Sequence, residues 1–446
     1  MLKTFRIGGI HPPENKWTAN QGIIRADLPK QVVIPLSQHI GTPAVATVKK
    51  GDMVKAGTLI ARSGGFVSAH IHSSVSGTVH QIGEITDASD IVRSAVYIDV
   101  TGDEWEEEID RSETLIKECT LSGKEIIEKI AKAGIVGLGG ATFPTHIKLS
   151  PPSGNKTELL IVNAAECEPY LTCDHALMLA KSEQILIGTT ILMKALQVDR
   201  AVVGIEKNKP DAIERLTKLA ADYDSIEIIP LVVKYPQGSE KILIDAVMRR
   251  QVKSGALPVS VGAVVQNVGT VYAVYEAVQK NKPLIERVVT VSGKAISKPS
   301  NLLVRIGTPV HELIRFACGP SEITGKVING GPMMGKALVN TDVPVTKGCT
   351  GILVLPEAET MRKPARNCIR CTQCNTVCPM GLNPSYLMSV TEFSEWDLAE
   401  SNGITDCIEC GSCSYVCPSH RPLLDYIRLG KNKVMGMMRT RKTQTT

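Results

Sequence analysis

Eight cysteines fall in two runs of matched spacing, and both runs end in Cys-Pro. The first is Cys368, Cys371, Cys374 and Cys378, followed by Pro379. The second is Cys407, Cys410, Cys413 and Cys417, followed by Pro418. Each reads C-x2-C-x2-C-x3-C-P. Soft thiolates so spaced bind the irons of a cubane [4Fe-4S] cluster, so two runs call for two clusters. Structural zinc instead takes its four ligands as two CxxC pairs. The C-terminal end of the chain is therefore expected to move electrons one at a time.

The rest of the composition bounds what surrounds those clusters. With 446 residues, two to four domains are expected. Hydrophobic residues make up 43%, but aromatics only 4%, so Val, Ile, Leu and Ala must fill the cores. The clustering of the cysteines is wrong for a secreted disulfide scaffold. The five outside the runs, Cys119, Cys167, Cys173, Cys318 and Cys349, are expected to be buried, inert thiols. The opening MLKTFRIGGIHPP has no apolar signal-peptide core, and no unbroken apolar run suits a membrane span. Net charge is only +5. The stretch 421–446 is nonetheless basic, with Arg421, Arg428, Lys431, Lys433, Arg439, Arg441 and Lys442 against Asp425. Such a tail suits an anionic membrane or acidic partner loops, or is simply a solvated terminus. It lacks interleaved aromatics, and no nucleic-acid partner is expected.

Pattern along the chain divides it into blocks. Residues 1–35 are rich in Pro and Gly and suit a segment wrapped on a neighbouring domain. From 32 to 100, short β-like runs alternate with glycine turns. The phrase V-x-x-G-D-x-V-x-x-G-x-x-I, ending at Ile60, resembles the barrel-sandwich of biotinyl and lipoyl carriers. The matching hairpin tip, IHSSVSG at 71–77, has no lysine to modify, so the resemblance implies architecture only. Strands at 158–164, 201–206, 226–232 and 261–267 then alternate with helices at 175–196, 209–223, 239–252 and 269–279. That alternation predicts an α/β domain with a largely parallel sheet. Residues 288–355 return to short strands with one helix at 310–319, which suggests a β-grasp or similar module. A polar linker at 356–364 leads into the cysteine-rich module.

Four polar loops belong to the α/β block, a glycine loop after the helical stretch 122–134 and three at strand ends, where open parallel sheets bind ligands. GLGGATFPTHIK at 137–148 offers Gly137, Gly139, Gly140 and Lys148, a set suited to phosphate, although a tight turn needs the same glycines. NAAECEP at 163–169 offers Asn163 for a planar heterocycle or ribityl hydroxyl, and Glu166 and Glu168 for ribose hydroxyls. YPQGSEK brings Tyr235, Gly238, Ser239 and Glu240, and VVQNVGT brings Gln266, Asn267 and Thr270.

These four loops are similar to the flavin and NADH loops of the 51 kDa flavoprotein subunit of respiratory complex I. The order of blocks, with two full cysteine runs at the end, resembles the C subunit of the Rnf ion-translocating electron transport complex. The resemblance implies an α/β multidomain fold. Its parts are a carrier-like β barrel-sandwich within 1–118, a Rossmann-like flavin domain at 119–287, a β-grasp (SLBB-like) domain at 288–356, a two-cluster ferredoxin-like helical module at 365–430 and a basic tail at 431–446. It implies FMN at Gly137, Gly139, Gly140, Lys148, Asn163 and Glu166. It implies NAD(H) near Glu168 and Phe143, with Tyr235, Gly238, Glu240, Gln266 and Asn267 matching further cofactor positions. One cluster would take Cys368, Cys371, Cys374 and Cys417, the other Cys407, Cys410, Cys413 and Cys378, the fourth ligand being exchanged as in two-cluster ferredoxins. The implied partners are NADH/NAD+ and subunits A, B, D, E and G of the complex, on the cytoplasmic face of the membrane. Three positions depart from the complex I pattern: Leu138 replaces arginine, Ala165 aspartate and Ser239 glutamate.

Overall fold

The computed structural model describes residues 2–152, 154–320 and 325–444. The first block after the N-terminal segment is the expected barrel-sandwich. A sheet in the order Gln31–Pro35, Val92–Gly102, Ser76–Thr86, Met53–Val54 faces a smaller one of Val45–Ala46, Leu59–Arg62 and Ile71–His72. Alternating apolar residues of both sheets meet inside, including Val32, Ile34, Ile60, Ile71, Val79 and Ile98. The hairpin tip is buried against the third block. Ser74 donates through Oγ to the carbonyl of Ile306 at 2.5 Å, and Arg305 Nη1 donates to the carbonyl of Ser74 at 3.0 Å.

The α/β domain holds four parallel strands in the order Ile226–Leu231, Ala201–Glu206, Leu159–Ala164, Ala263–Asn267. The central residues of the last three are apolar and buried on both faces, as a helix-covered parallel sheet requires, while the edge strand Ile226–Leu231 exposes Glu227. The first strand in sequence lies between the second and the fourth. The chain therefore reverses direction across the sheet between Leu159–Ala164 and Ala263–Asn267, and at such a reversal the loops of an open α/β sheet splay apart to leave a crevice. The helix expected over 175–196 is two helices, Cys173–Ala180 and Ser182–Leu196, bent by 95°. Lys181 leaves helical backbone at φ −131° and ψ 36°, and Ser182 Oγ bonds the Met178 carbonyl at 2.5 Å.

The third block is a six-stranded mixed sheet with the helix Val310–Phe316. One edge is supplied from far away in sequence: Ile23–Arg25 pairs in parallel with Ser300–Arg305. The N-terminal segment thus stitches several blocks. Lys3 exchanges backbone bonds with Pro230 and Val232 at 3.2 and 2.9 Å, Ile10 pairs with Tyr235, and the Gly9 amide donates to the Val377 carbonyl at 2.9 Å.

The last block is helical, with Pro384–Glu392 and Trp396–Ser401 between the cysteine runs. The final helix, Leu423–Gln444, runs on past the boundary expected at 430. Val434 explains the continuation, since it is fully buried in one core with Leu387, Val390, Ala399 and Ile427. Residues 445–446 of the basic tail lie outside the described residues. Of the five scattered cysteines, Cys173 and Cys349 are buried, but Cys318 is exposed on a turn after a helix, where apolar packing does not reach. Among the described residues no single helix is long and apolar enough to cross a membrane.

Candidate functional site: a crevice beside a cysteine-lined cavity

The crevice forms where the parallel sheet changes direction. Asn163 and Asn267 end adjacent strands as register partners. Asn267 caps its helix by accepting from the amides of Gly269 and Thr270 at 2.9 and 3.3 Å. Asn163 Nδ2 donates to the Gly238 carbonyl at 2.7 Å, which joins the second and third loops. The glycine loop lies over Asn267. The Leu138 amide donates to Thr270 Oγ1 at 2.8 Å, and Gly139 packs so that an added Cβ would meet Asn267 at 3.4 Å. Gly140 has φ +108° and faces open space, a conformation that only glycine adopts cheaply. Lys148 and Glu240 form an ion pair at the rim. Gly137 bonds the Phe143 carbonyl through its amide at 2.9 Å, closing the turn behind them. Gln266, next to Asn267 at the strand end, is buried with its Nε2 donor unpartnered.

The floor carries charge. Glu166 sits at φ +49° and accepts from the amides of Asp174 and His175 at 2.7 and 3.2 Å, holding the start of the Cys173–Ala180 helix. Asp174 accepts from Asn267 Nδ2 at 2.8 Å. Burial, aided by the neighbouring Glu166 carboxylate, pushes the Asp174 carboxyl up to about 7. Buried Arg287 reaches the Leu138 carbonyl from below at 3.4 Å, so a guanidinium underlies the loop although position 138 itself is leucine.

Two expected site residues make bonds that reach beyond the α/β domain. Glu168 accepts from the amides of Met333 and Met334 at 3.1 and 2.8 Å, and burial pushes its carboxyl up to about 7. Tyr235, with a cis peptide bond to Pro236, is buried and donates its hydroxyl to the Cys410 carbonyl at 2.8 Å. Both side chains therefore join the α/β domain to its neighbours. Tyr235 packs with Ile10, Cys410, Met333, Val377 and Ile408 in one apolar cluster at that junction.

Behind Tyr235 lie cysteines of both runs. Cys378, Cys407, Cys410 and Cys413 line a single cavity, otherwise walled by groups such as Leu382, Leu387, Ile408, Leu424 and Ile427. A soft-donor set in an apolar wall fits a cubane cluster. Burial pushes the free thiols of Cys407 and Cys413 up to about 11 and 12, so iron must displace their protons. Amides already face the sulfurs, from Leu382 to Cys378 and from Glu409 to Cys407, each at 3.4 Å. The other set is more open: Cys368 and Cys371 are exposed, while Cys374 and Cys417 are half-buried and share a small core with Cys413.

Several contributors were not among the expected site residues. Cys167 accepts from the Gly238 amide at 3.3 Å, and burial beside Glu206 raises its thiol pKa. Lys209 is buried and donates to the Ala165 carbonyl at 2.7 Å. Lys16 donates to the carbonyls of Glu166, Glu168 and Leu171 at 2.8, 2.8 and 2.6 Å, pinning the whole second loop. A lone lysine in a Pro-rich segment gives no signal of that role. Asp174 was reachable, since it lies eight residues after Glu166 at a helix start.

Comparison with known proteins follows the same partition. Residues 3–103 match the RnfC barrel sandwich hybrid domain, 130–276 the Nuo51 FMN-binding domain, 288–337 the SLBB domain and 360–419 a 4Fe-4S dicluster domain. The chain is 49% identical to the C subunit of the proton-translocating ferredoxin:NAD(+) oxidoreductase complex of Clostridium ljungdahlii, over 97% of this chain and 94% of that one. It is 43% identical to the C subunit of the Na(+)-translocating counterpart of Acetobacterium woodii, over 98% of both. It is 42% identical to the C subunit of the ion-translocating oxidoreductase complex of Rhodobacter capsulatus, over 97% of this chain and 84% of that one. An NAD+-reducing [NiFe]-hydrogenase structure shares the fold at a TM-score of 0.50 and 19% identity, over 70% of this chain and 62% of that one. The chain belongs to the RnfC family, the C subunits of ion-translocating ferredoxin:NAD(+) oxidoreductase complexes.

Proposed function

We propose that this chain is the nucleotide-facing subunit of such a complex, exchanging electrons between NAD(H) and two [4Fe-4S] clusters by way of FMN. The observation that carries this reading is the direct bond from Tyr235, rooted in the crevice loops, to the backbone of Cys410 in the four-thiol cavity. A flavin accepts two electrons together and releases them singly, which matches hydride chemistry to one-electron clusters. The chain's own task is to hold and orient. Gly139 and Gly140 leave room for a phosphate, Lys148 supplies a cation beside it, and the Gln266 amide and Asn163 suit the polar edge of a ring system. Phe143, Glu166, Glu168, Gly238, Glu240 and Asn267 complete the proposed cofactor shell. Cys378, Cys407, Cys410 and Cys413 would hold the inner cluster, and Cys368, Cys371, Cys374 and Cys417 the outer one. The subunit attaches peripherally to the cytoplasmic face of the membrane through its partner subunits.

The test is anaerobic addition of NADH to the reconstituted chain. Flavin bleaching followed by paramagnetic cluster signals is the expected result; bleaching absent in flavin-loaded protein would overturn the nucleotide role. Lys148→Ala should lower FMN occupancy, and wild-type occupancy would refute its phosphate contact. A second reading, a docking and relay subunit with a degenerate nucleotide site, draws on the bonds that occupy Glu168 and on the pairing of Lys148 with Glu240. Clusters that accept electrons from a partner but never from NADH would favour it.

A further inference from the structure

The loop that carries the outer cysteines is bare. Every residue from 361 to 373 is exposed, including Cys368 and Cys371, with Met361 at 73% and Ile369 at 67%. A backbone bond holds it from below, the Arg366 amide donating to the Ser419 carbonyl at 2.9 Å. The loop reads MRKPARNCIRCTQ, with four cations, and no acidic residue occurs between Glu359 and Glu392. Arg362 is engaged by Asp425. Among the described residues, no ion pair or side-chain hydrogen bond engages Lys363, Arg366 or Arg370.

Exposed cluster ligands beside apolar side chains and unpaired cations have the makeup of a transient electron-transfer interface. Such interfaces are small, and opposite charge steers the encounter. Resting on the electron-transfer reading above, we propose that the 361–373 loop docks the acidic face of a redox-active partner subunit of the same assembly, which covers Ile369 and exchanges electrons with the outer cluster. The charge names the partner's chemistry: carboxylates set to meet Lys363, Arg366 and Arg370 around a small apolar spot. Two other roles would use the same cations, a lipid surface of anionic headgroups and compensation of the cluster's own negative charge.

The experiment uses the full chain with its cofactors, as wild type, as K363E/R366E/R370E, and as the neutral K363Q/R366Q/R370Q. Retention is measured on the remaining subunits of the assembly, purified from cells lacking this chain, over about 50–300 mM NaCl, a range across which screening grows markedly. Wild-type retention should weaken as salt rises. Charge reversal should weaken it at least about tenfold at low salt, with the neutral variant between, because each cation lost removes part of the steering and contact energy. Iron content and NADH-driven flavin bleaching of the free chain should stay unchanged in both variants. Equal retention of all three proteins would overturn the proposal. So would losses seen only in flotation with phosphatidylglycerol vesicles, which would assign the cations to lipid. Retention that merely follows iron lost from both variants would assign them to the cluster itself. Failure of NADH to bleach the wild-type flavin would instead strike the functional reading and leave the docking result to stand by itself.

Discussion

The two cysteine runs share one spacing, yet the two sets of four thiols drawn from them have opposite surroundings. In the inner set Cys378, Cys410 and Cys413 are each 8% exposed, whereas Cys368 and Cys371 of the outer set lie open. Spacing decides which atoms ligate; packing from other parts of the chain decides how wet the cluster is. The inner nest is clamped by Tyr235, by the 333–334 loop, by Lys431 donating to the Cys407 carbonyl at 2.6 Å, and by Gly8. Gly8 has φ +71°, and a Cβ there would lie 2.6 Å from the Cys378 backbone, so only glycine lets the N-terminal segment close that wall. Burial and amide–sulfur bonds both tune cluster potential, so two runs of one pattern are expected to hold clusters of different potential.

The largest contrast should come from removing one ligand of each nest. Cys413→Ser and Cys371→Ser should each lower iron from about eight to about four per chain. Only Cys413→Ser should also markedly lower the melting temperature, because it empties an apolar cavity at a junction of blocks. Equal losses in calorimetry would erase the distinction between the nests. A chelator added to anaerobic holoprotein should next remove about half the iron in a fast phase and the rest slowly, since access differs. One single phase would contradict the exposure difference.

A smaller effect concerns the clamp's pH dependence. In the fold Glu168 holds its proton up to about 7, while the unfolded chain releases it near the ordinary value of 4.5. The folded state binds the extra proton, so this group's stabilisation is full below the ordinary value and is lost as pH rises through 7. Asp174 acts in the same direction. Stability of the wild type should therefore fall between about pH 5 and 8, and Glu168→Gln should flatten part of that fall. A variant with an unchanged slope would show that Glu168 does not hold the extra proton. The smallest change is Tyr235→Phe, which keeps the packing but leaves the Cys410 carbonyl without its donor. It should cost about 1 kcal/mol in denaturant unfolding with iron content retained. No measurable cost would mean that the hydroxyl is not part of the clamp.

Much of this arrangement was legible in advance for identifiable reasons. Apolar runs placed all four parallel strands within two residues, because three of them are buried on both faces and tolerate few polar residues, and the edge strand Ile226–Leu231 keeps an apolar run broken only by Glu227 and Pro230. The polar loops were legible because strand ends leave the core abruptly. The partners of their side chains were not. Whether Glu168 meets a ribose or the amides of Met333 and Met334 depends on a loop 165 residues away in sequence, and nothing local encodes that. The break at Lys181 was hidden for a related reason, since the apolar pattern runs through it and only the buried Ser182 marks the bend.

The stitching of the N-terminal segment has a temporal side. Residues 3–25 leave the ribosome long before their partners at 230–235, 301–303 and 377. Chains fold largely as they are made. This stretch must therefore wait for some 200 to 370 later residues before it can settle. A stalled or truncated product ending before the iron-binding region would leave that stretch without its last anchor, the amide of Gly9 on Val377.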